Sequence, residues 1–126
     1  MLEVLVRARC FPTEDRAKVE KAISNLFPDA VVEGEDPISA RSQSIESFAD
    51  ALRRQRIRDA ARRMMRRGME GDSTKFMLNK QVAAVGKVSF SEETHALGDL
   101  EVIITSDDIE ALIDSIAPNT KAGRVR

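Results

Sequence analysis

Eight arginines lie between positions 53 and 67, with a single acidic residue, Asp59, among them. They occupy positions 53, 54, 56, 58, 62, 63, 66 and 67. The segment therefore carries a charge of +7 over fifteen residues, whereas the whole chain carries −1 and the other 111 residues carry −8. A charge concentrated in this way indicates an anionic partner. Guanidinium groups suit such a partner because they form paired, planar hydrogen bonds to phosphate or carboxylate oxygens.

The spacing of these arginines predicts a helix. Four of them recur every fourth residue and would form a ladder along one helical face, namely Arg54, Arg58, Arg62 and Arg66. The opposite side would face a core with Ile57, Ala60, Ala61 and Met64. A continuous helix from Ile45 to Gly68 would be about 36 Å long. Because the apolar stripe before Leu52 is offset from the stripe after it, we expect the helix to curve or change its packing partner between Leu52 and Arg56.

The charge of this helix has more than one interpretation. The arginines could bind the phosphates of a nucleic acid, or they could pair with carboxylates of the same chain or of a second copy, which would make the protein a homodimer or a subunit of a complex. A merely solvated helix face is the simplest alternative. Methionines 64, 65 and 69 could serve an adaptable contact surface, although the phase that Met64 shares with Ile57 favours core packing.

Other chemistry finds little support in the sequence. Nucleophilic catalysis needs a base beside Cys10 or a serine, and the single histidine, His95, lies in a polar acidic stretch far from either. One cysteine and one histidine do not make a zinc site. The acids near His95 match no calcium-loop spacing, and no phosphate-binding glycine motif occurs. We therefore predict a protein that is not an enzyme and has no metal or cofactor.

Length and composition indicate one domain. We assign residues 1–118 to a single α+β domain and residues 119–126 to a basic, mobile tail. A lone cysteine fits a reducing compartment, and Glu3 and Arg7 interrupt the apolar N-terminal run, so we predict a cytoplasmic protein without a membrane span. The overall pI of about 5.9 argues against a uniformly basic nucleic-acid binder and leaves only a local patch.

Hydrophobic periodicity predicts the elements that would position the arginines. Alternating patterns predict strands at residues 2–10, 30–35, 75–80 and 100–104, and residues 87–91 alternate as well, with Val88 and Phe90 inward. Helices would follow Thr13 and a capping box formed by Thr105 and Asp108, and residues 34–44 would form a loop. The order β-α-β-α-β-β-α predicts a two-layer α+β sandwich with a small mixed or mostly antiparallel sheet. Helices would cover one face, and the other would expose Arg7 and Arg9.

The scarcity of aromatic residues bears on the kind of nucleic acid. Single-stranded chains are bound by stacking bases on exposed rings, whereas double-stranded RNA is recognised by its shape, phosphates and 2′-hydroxyls. The chain has five phenylalanines, mostly in apolar phase, and no tryptophan or tyrosine. Structured or double-stranded RNA is therefore the favoured ligand. No helix-turn-helix spacing supports DNA readout.

Four stretches resemble a known family: residues 52–65 (LRRQRIRDAARRMM), 78–90 (LNKQVAAVGKVSF), 97–104 (LGDLEVII) and 113–123 (IDSIAPNTKAG). They are similar to a small archaeal family of uncharacterised proteins labelled "RNA-binding". Its fold resembles the large-subunit ribosomal protein that binds five-S ribosomal RNA. One departure is Val82, which separates Gln81 from the alanines that follow the glutamine directly in the family pattern. The resemblance implies an α+β fold and RNA binding, and it brings no catalytic or ligand residues.

These observations lead to one prediction. The chain binds structured RNA through phosphate contacts made by an arginine-rich helix, with the dimer or complex subunit as the alternative. The residues that charge and phase assign to RNA are Arg54, Arg58, Arg62, Arg66, Arg63, Arg67, Lys80, Lys87, Arg7 and Arg9.

Overall fold

Six antiparallel strands form one sheet in a computed structural model that describes residues 2–35, 37–91 and 99–118. The strands are β1 (Leu2–Ala8), β2 (Val31–Glu33), β3 (Ile38–Ser42), β4 (Met69–Glu70), β5 (Ser73–Asn79) and β6 (Asp99–Ser106). The helices are α1 (Arg16–Leu26), α2 (Glu46–Gln55), α3 (Arg58–Arg67), α4 (Lys80–Ala83) and α5 (Ile109–Ile116). The strand order across the sheet is β2-β3-β1-β6-β5-β4. This architecture confirms the predicted α+β class and the antiparallel sheet.

Alternation along the strands separates a covered face from an open face. In β1, Val4 and Val6 are buried, whereas Leu5 is half-buried and Arg7 is exposed. The register pairs Val4 with Ile104 and Val6 with Val102 of β6, so the buried side chains of neighbouring strands form continuous rows. Because a residue and its direct partner across two strands lie on the same face, the core collects on one side of the sheet beneath the helices. Arg7 lies on the other side.

Side-chain caps fix where α1 and α5 begin, as Asn79 does for α4, and the caps of α1 and α5 differ from the predicted ones. The Asp15 carboxylate accepts a hydrogen bond from the Ala17 amide at 2.9 Å, so Asp15 rather than Thr13 caps α1. The Asp108 carboxylate accepts one from the Ala111 amide at 3.0 Å. The predicted capping box of Thr105 with Asp108 is therefore wrong. Thr105 lies in β6, and Asp108 itself occupies the cap position.

Three segments differ from the predicted element order. The predicted loop at 34–44 contains β3, which pairs with β1 and so joins the middle of the sheet. The short edge strand β4 was also absent from the prediction. Residues 87–91 do not form a strand, and only one bridge, between Leu78 and Phe90, connects this segment to the sheet. The polar stretch 92–98 and the predicted tail 119–126 lie outside the described residues.

The continuous helix predicted over residues 45–68 is wrong, because the chain breaks between α2 and α3. The break lies at Arg56 and Ile57, at the end of the interval where the offset stripes predict a bend. Arg56 has φ 59° and ψ 40°, and it is the only described residue other than glycine with a positive φ. We call residues 53–59 the elbow. No helix in the described part of the chain is long and apolar enough to cross a membrane.

Candidate nucleic-acid interface

The elbow is a helix C-terminal turn of the Schellman type. The Arg56 amide donates to the Arg53 carbonyl at 3.2 Å, and the Ile57 amide donates to the Leu52 carbonyl at 3.1 Å. This pattern requires a left-handed residue at Arg56, a position that glycine usually occupies. The left-handed conformation costs an L-residue roughly 1–2 kcal/mol. The surrounding packing therefore has to hold the turn, and an arginine side chain is displayed at its apex.

Burial on both sides of the elbow explains why the turn forms here. Helix α2 buries Phe48, Ala51 and Leu52, and α3 buries Ala61 and Met65. Leu52 and Ile57 are the apolar pair that accompanies a Schellman turn, and Ile57 is packed against the core while partly exposed. The break resets the helical phase, so the second stripe runs through Ala61 and Met65. Met64, which the continuous helix would bury, is only half-buried.

The end of α3 is fixed tightly to the sheet. The Thr74 hydroxyl donates to the Met65 carbonyl at 2.5 Å, and the Lys75 amide donates to the Gly68 carbonyl at 3.1 Å. A Cβ atom at Gly68 would lie 2.0 Å from the Lys75 carbonyl oxygen, so the approach needs a residue without a side chain. The arginines of α3 are thus carried on a rigid support.

Two of the four arginines in the predicted ladder form ion pairs with α5. Arg62 pairs with Asp114 at 2.5 Å and also donates to the Ala117 carbonyl at 3.1 Å, near the C-terminus of α5. Arg66 pairs with Glu110 at 3.7 Å. These two arginines join α3 to α5 and are already matched by carboxylates. Arg54, on the far side of the break, is exposed and donates to the Asp50 carbonyl at 3.4 Å.

A small cationic cleft lies at the elbow. Its volume is about 170 Å³, and it is lined by Arg53, Arg56, Arg58 and Asp59. Arg53 also pairs with the Asp50 carboxylate. Arg56 is exposed, Arg58 is half-buried, and neither forms an ion pair with any residue in the described ranges. No side chain caps the N-terminus of α3, which opens on this cleft through Arg58 and Asp59.

The segment before Phe90 extends the positive surface beside the elbow. The Gln55 side chain donates to the Val88 carbonyl at 2.8 Å and accepts from the Val88 amide at 2.7 Å. These two bonds hold residues 87–89 next to the end of α2, and Lys87 is exposed there. Across a groove of about 220 Å³, Arg63 of α3 lies near Ser89 and Phe90. Like Arg56, neither Lys87 nor Arg63 has an ion pair within the described residues.

Lys80 is a correction to the predicted site. Its ammonium group lies 3.0 Å from both oxygens of the Glu14 carboxylate and donates to the Arg9 carbonyl at 2.9 Å. Only 6% of the Lys80 side chain and 10% of the Glu14 side chain are exposed. A buried, fully hydrogen-bonded ammonium group cannot reach a ligand at the surface. Lys80 instead ties α4 to the segment between β1 and α1.

Arg7 and Arg9 lie apart from the elbow. Arg7 projects from the open face of the sheet and pairs with Glu101 at 3.2 Å, whereas α2 and α3 cover the opposite face. Arg9 follows β1, and its guanidinium carbon lies 5.1 Å from the centre of the Phe11 ring. Arg67 is exposed at the end of α3 and lines a separate cleft near Lys75. Of the predicted set, Arg58 lies at the elbow cleft, Arg63 lies at the neighbouring groove, and Lys87 lies in the segment that Gln55 holds beside α2.

Two contributors were absent from that set, Arg53 and Arg56. A continuous helix would have put them on other faces than the ladder. The offset between the two apolar stripes was the signal that could have found them. Among the described residues, no group of three or more His, Cys, Asp or Glu is placed to hold a metal ion. His95, Glu92 and Glu93 lie outside those residues, whereas Asp99, the other acid near His95, begins β6.

A protein-family model described as RNA binding matches residues 3–107, which include most of β1 and all of α2, the elbow and α3. This chain belongs to that family. A UPF0201 protein from Methanocaldococcus jannaschii is 43% identical over 131 residues, which cover 97% of this chain and 76% of that protein. A UPF0200/UPF0201 protein from Archaeoglobus fulgidus is 39% identical, and this chain spans only 39% of its length. The archaeal, uncharacterised family predicted from the sequence is thus confirmed.

A solved structure agrees with the fold described above. The crystal structure of a UPF0201 protein from Methanococcus jannaschii superposes with a TM-score of 0.88 at 42% identity, over 96% of each chain. The expected likeness of the RNA-binding family to the ribosomal protein that binds five-S ribosomal RNA stays a prediction.

Proposed function

We propose that this protein binds structured or double-stranded RNA, without catalysis, through phosphate contacts from arginines at the elbow and along α3. One observation carries the proposal. Four cations at the elbow, on α3 and in the segment held against α2 have no carboxylate partner within the described residues, namely Arg56, Arg58, Arg63 and Lys87. The family's description as RNA binding supports the same ligand class.

The placement of the aromatic residues supports a duplex or folded RNA. Phe27, Phe48 and Phe76 are buried and stack in a row with ring centres 5.7 and 5.6 Å apart. Phe11 and Phe90 are half-buried. These five are all the aromatic residues of the chain, so no fully exposed ring offers a stacking surface for single-stranded bases. Recognition by phosphate and shape, as in double-stranded RNA, fits this surface better.

The salt dependence of binding tests the proposal. Each phosphate that a cation neutralises releases counterions, so the logarithm of the association constant falls linearly with the logarithm of the salt concentration. Three or four contacts predict a slope of about −3 for an RNA duplex of about 16 base pairs, the length that double-stranded RNA-binding domains span. Fluorescence anisotropy over a salt series measures it. Absence of binding at low salt, or an affinity that salt does not change, would contradict the proposal.

Assembly through protein carboxylates is the second candidate. The pairs Arg62–Asp114 and Arg66–Glu110 favour it, because they show that arginines of α3 do find carboxylates in this chain. If the open arginines are matched by a second copy, charge reversal of Arg58 and Arg63 to Glu would dissociate an oligomer. Sedimentation equilibrium distinguishes the two candidates. A monomer that binds RNA supports the first, and a dimer that these changes dissociate supports the second.

A further inference from the structure

The elbow cleft brings three guanidinium groups around one small space. Arg53, Arg56 and Arg58 line it, together with the Asp59 carboxylate. Like charges held around one cavity repel each other, and an anion in the cavity removes that repulsion. Asp59 offsets one of the three charges, and Asp50 pairs with Arg53 outside the cleft. A positive charge remains, and Arg56 and Arg58 are the cations without a described ion partner.

The backbone adds further donors to the same cleft. The first amides of a helix have no partner within the helix, and the positive end of the helix dipole lies there. In α3 these amides belong to residues 58–60, and no side chain caps them. The helix is ten residues long, and two of its first-turn residues line the cleft. The arginine side chains and the first two residues of α3, Arg58 and Asp59, thus border the same space of about 170 Å³.

The residue at the apex of the turn is unusual for its conformation. A turn of this type is best served by glycine, yet position 56 carries an arginine with φ 59°. A cation near the end of α2 also favours the dipole of α2, but Arg53 and Arg54 already supply that charge in its last turn. The geometry of the turn therefore does not explain why position 56 carries an arginine. An anion bound in the cleft would explain it, because the anion needs a positively charged hydrogen-bond donor there.

We propose that the elbow cleft is a binding site for one phosphate group of the RNA backbone. Arg56 and Arg58 hold its oxygens through charge-assisted hydrogen bonds, the first amides of α3 complete the contact, and Arg53 is held alongside by Asp50. The source of the phosphate rests on the proposed RNA binding, whereas the anion site rests on the cleft alone. The cleft would fix the position of the RNA at the bend between the two helices.

The test uses the whole chain labelled with ¹⁵N and inorganic phosphate as the probe, at constant ionic strength. Saturable shifts are expected in the amide signals of residues 58–60 and in the side-chain Nε signals of Arg56 and Arg58. Arg56→Asn should weaken phosphate binding about tenfold, because it removes a charged donor. Asparagine tolerates the left-handed conformation, so this variant should be as stable as the wild type. Arg58→Gln should have a similar effect on binding.

The matched control is Arg41→Gln, which removes one exposed arginine from the open face of the sheet, where Arg41 pairs with Glu3 at 3.4 Å. It should leave phosphate binding unchanged. If Arg56→Asn and Arg58→Gln bind phosphate as well as this control does, the site is overturned, whatever the protein does with RNA.

A duplex RNA titration then identifies the source of the phosphate. The proposal expects the RNA to shift the same amide signals and to displace inorganic phosphate. RNA that binds and leaves these signals unchanged overturns the elbow contact, although the proposed function would stand. Phosphate that binds while RNA does not would support the anion site and refute RNA as its ligand, which is a failure of the proposed function.

Discussion

Single residues of the same type serve very different purposes in this chain. From the sequence alone, Lys80 and Lys87 have the same predicted role, because both are cations in residues 78–90, one of the stretches that resemble the RNA-binding family. The structure buries Lys80 against Glu14 and leaves Lys87 exposed beside the elbow. The difference arises because α4 begins at Lys80, capped by the Asn79 side chain, and this directs the lysine toward the carbonyl of Arg9. Local propensity contains no information about that long-range contact.

Replacing Lys80 tests its structural assignment. Lys80→Met leaves the Glu14 carboxylate buried without its partner, and breaking a buried ion pair in this way costs about 3–5 kcal/mol. The free energy of unfolding, measured with urea, should fall by about that amount. Replacing Glu14 by Gln in the same chain should recover part of the loss. RNA affinity of the folded variant should not change. An unaltered stability together with weakened RNA binding would show that Lys80 is a surface contact after all.

At the scale of elements, the decisive feature is that one predicted helix is two. The segment has good helix formers and neither glycine nor proline between Ile45 and Arg67, so propensity predicts continuity. The burial of apolar side chains outweighs this helix propensity, because Leu52 and Met65 both reach the core only if the chain turns between them. The strands were easier to predict, because Val4, Val6 and Val102 alternate with half-exposed residues. β3 was missed because its Ser39, Arg41 and Ser42 resemble a loop in composition.

Gly68 tests how firmly α3 is positioned. Gly68→Ala would place a Cβ atom 2.0 Å from the Lys75 carbonyl oxygen, so the helix end or β5 has to move. Overpacking of this kind costs about 1–3 kcal/mol. Gly71→Ala is the comparison, since nothing lies within 4 Å of its Cβ and only its positive φ opposes the change, at roughly 1–2 kcal/mol, whereas the Gly68 clash is with a backbone oxygen that cannot rotate away. Thermal unfolding should rank Gly68→Ala as the less stable variant. The reverse order would show that α3 is loosely attached.

At the scale of the molecule, charge is divided between a positive bend and an otherwise negative chain. The sequence alone predicts this asymmetry, because residues 53–67 carry a charge of +7 whereas the other 111 residues carry −8. It does not predict which arginines remain open. That choice depends on α5, whose Glu110 and Asp114 lie far along the sequence from the arginines that they pair with. The sequence therefore predicts the class of partner, and the packing of α5 on α3 determines the surface that meets it.

Two double variants test the central claim, that the open arginines and not the paired ones bind RNA. Arg58→Gln with Arg63→Gln removes two charges from the open surface, and Arg62→Gln with Arg66→Gln removes two from the pairs with α5. Both change the net charge equally. The measurement is the slope of the logarithm of duplex RNA affinity against that of salt concentration. We expect the first pair to reduce its magnitude by about two. The second pair should leave the slope nearly unchanged while lowering stability by roughly 1–2 kcal/mol. Equal slopes for the two double variants would contradict the account.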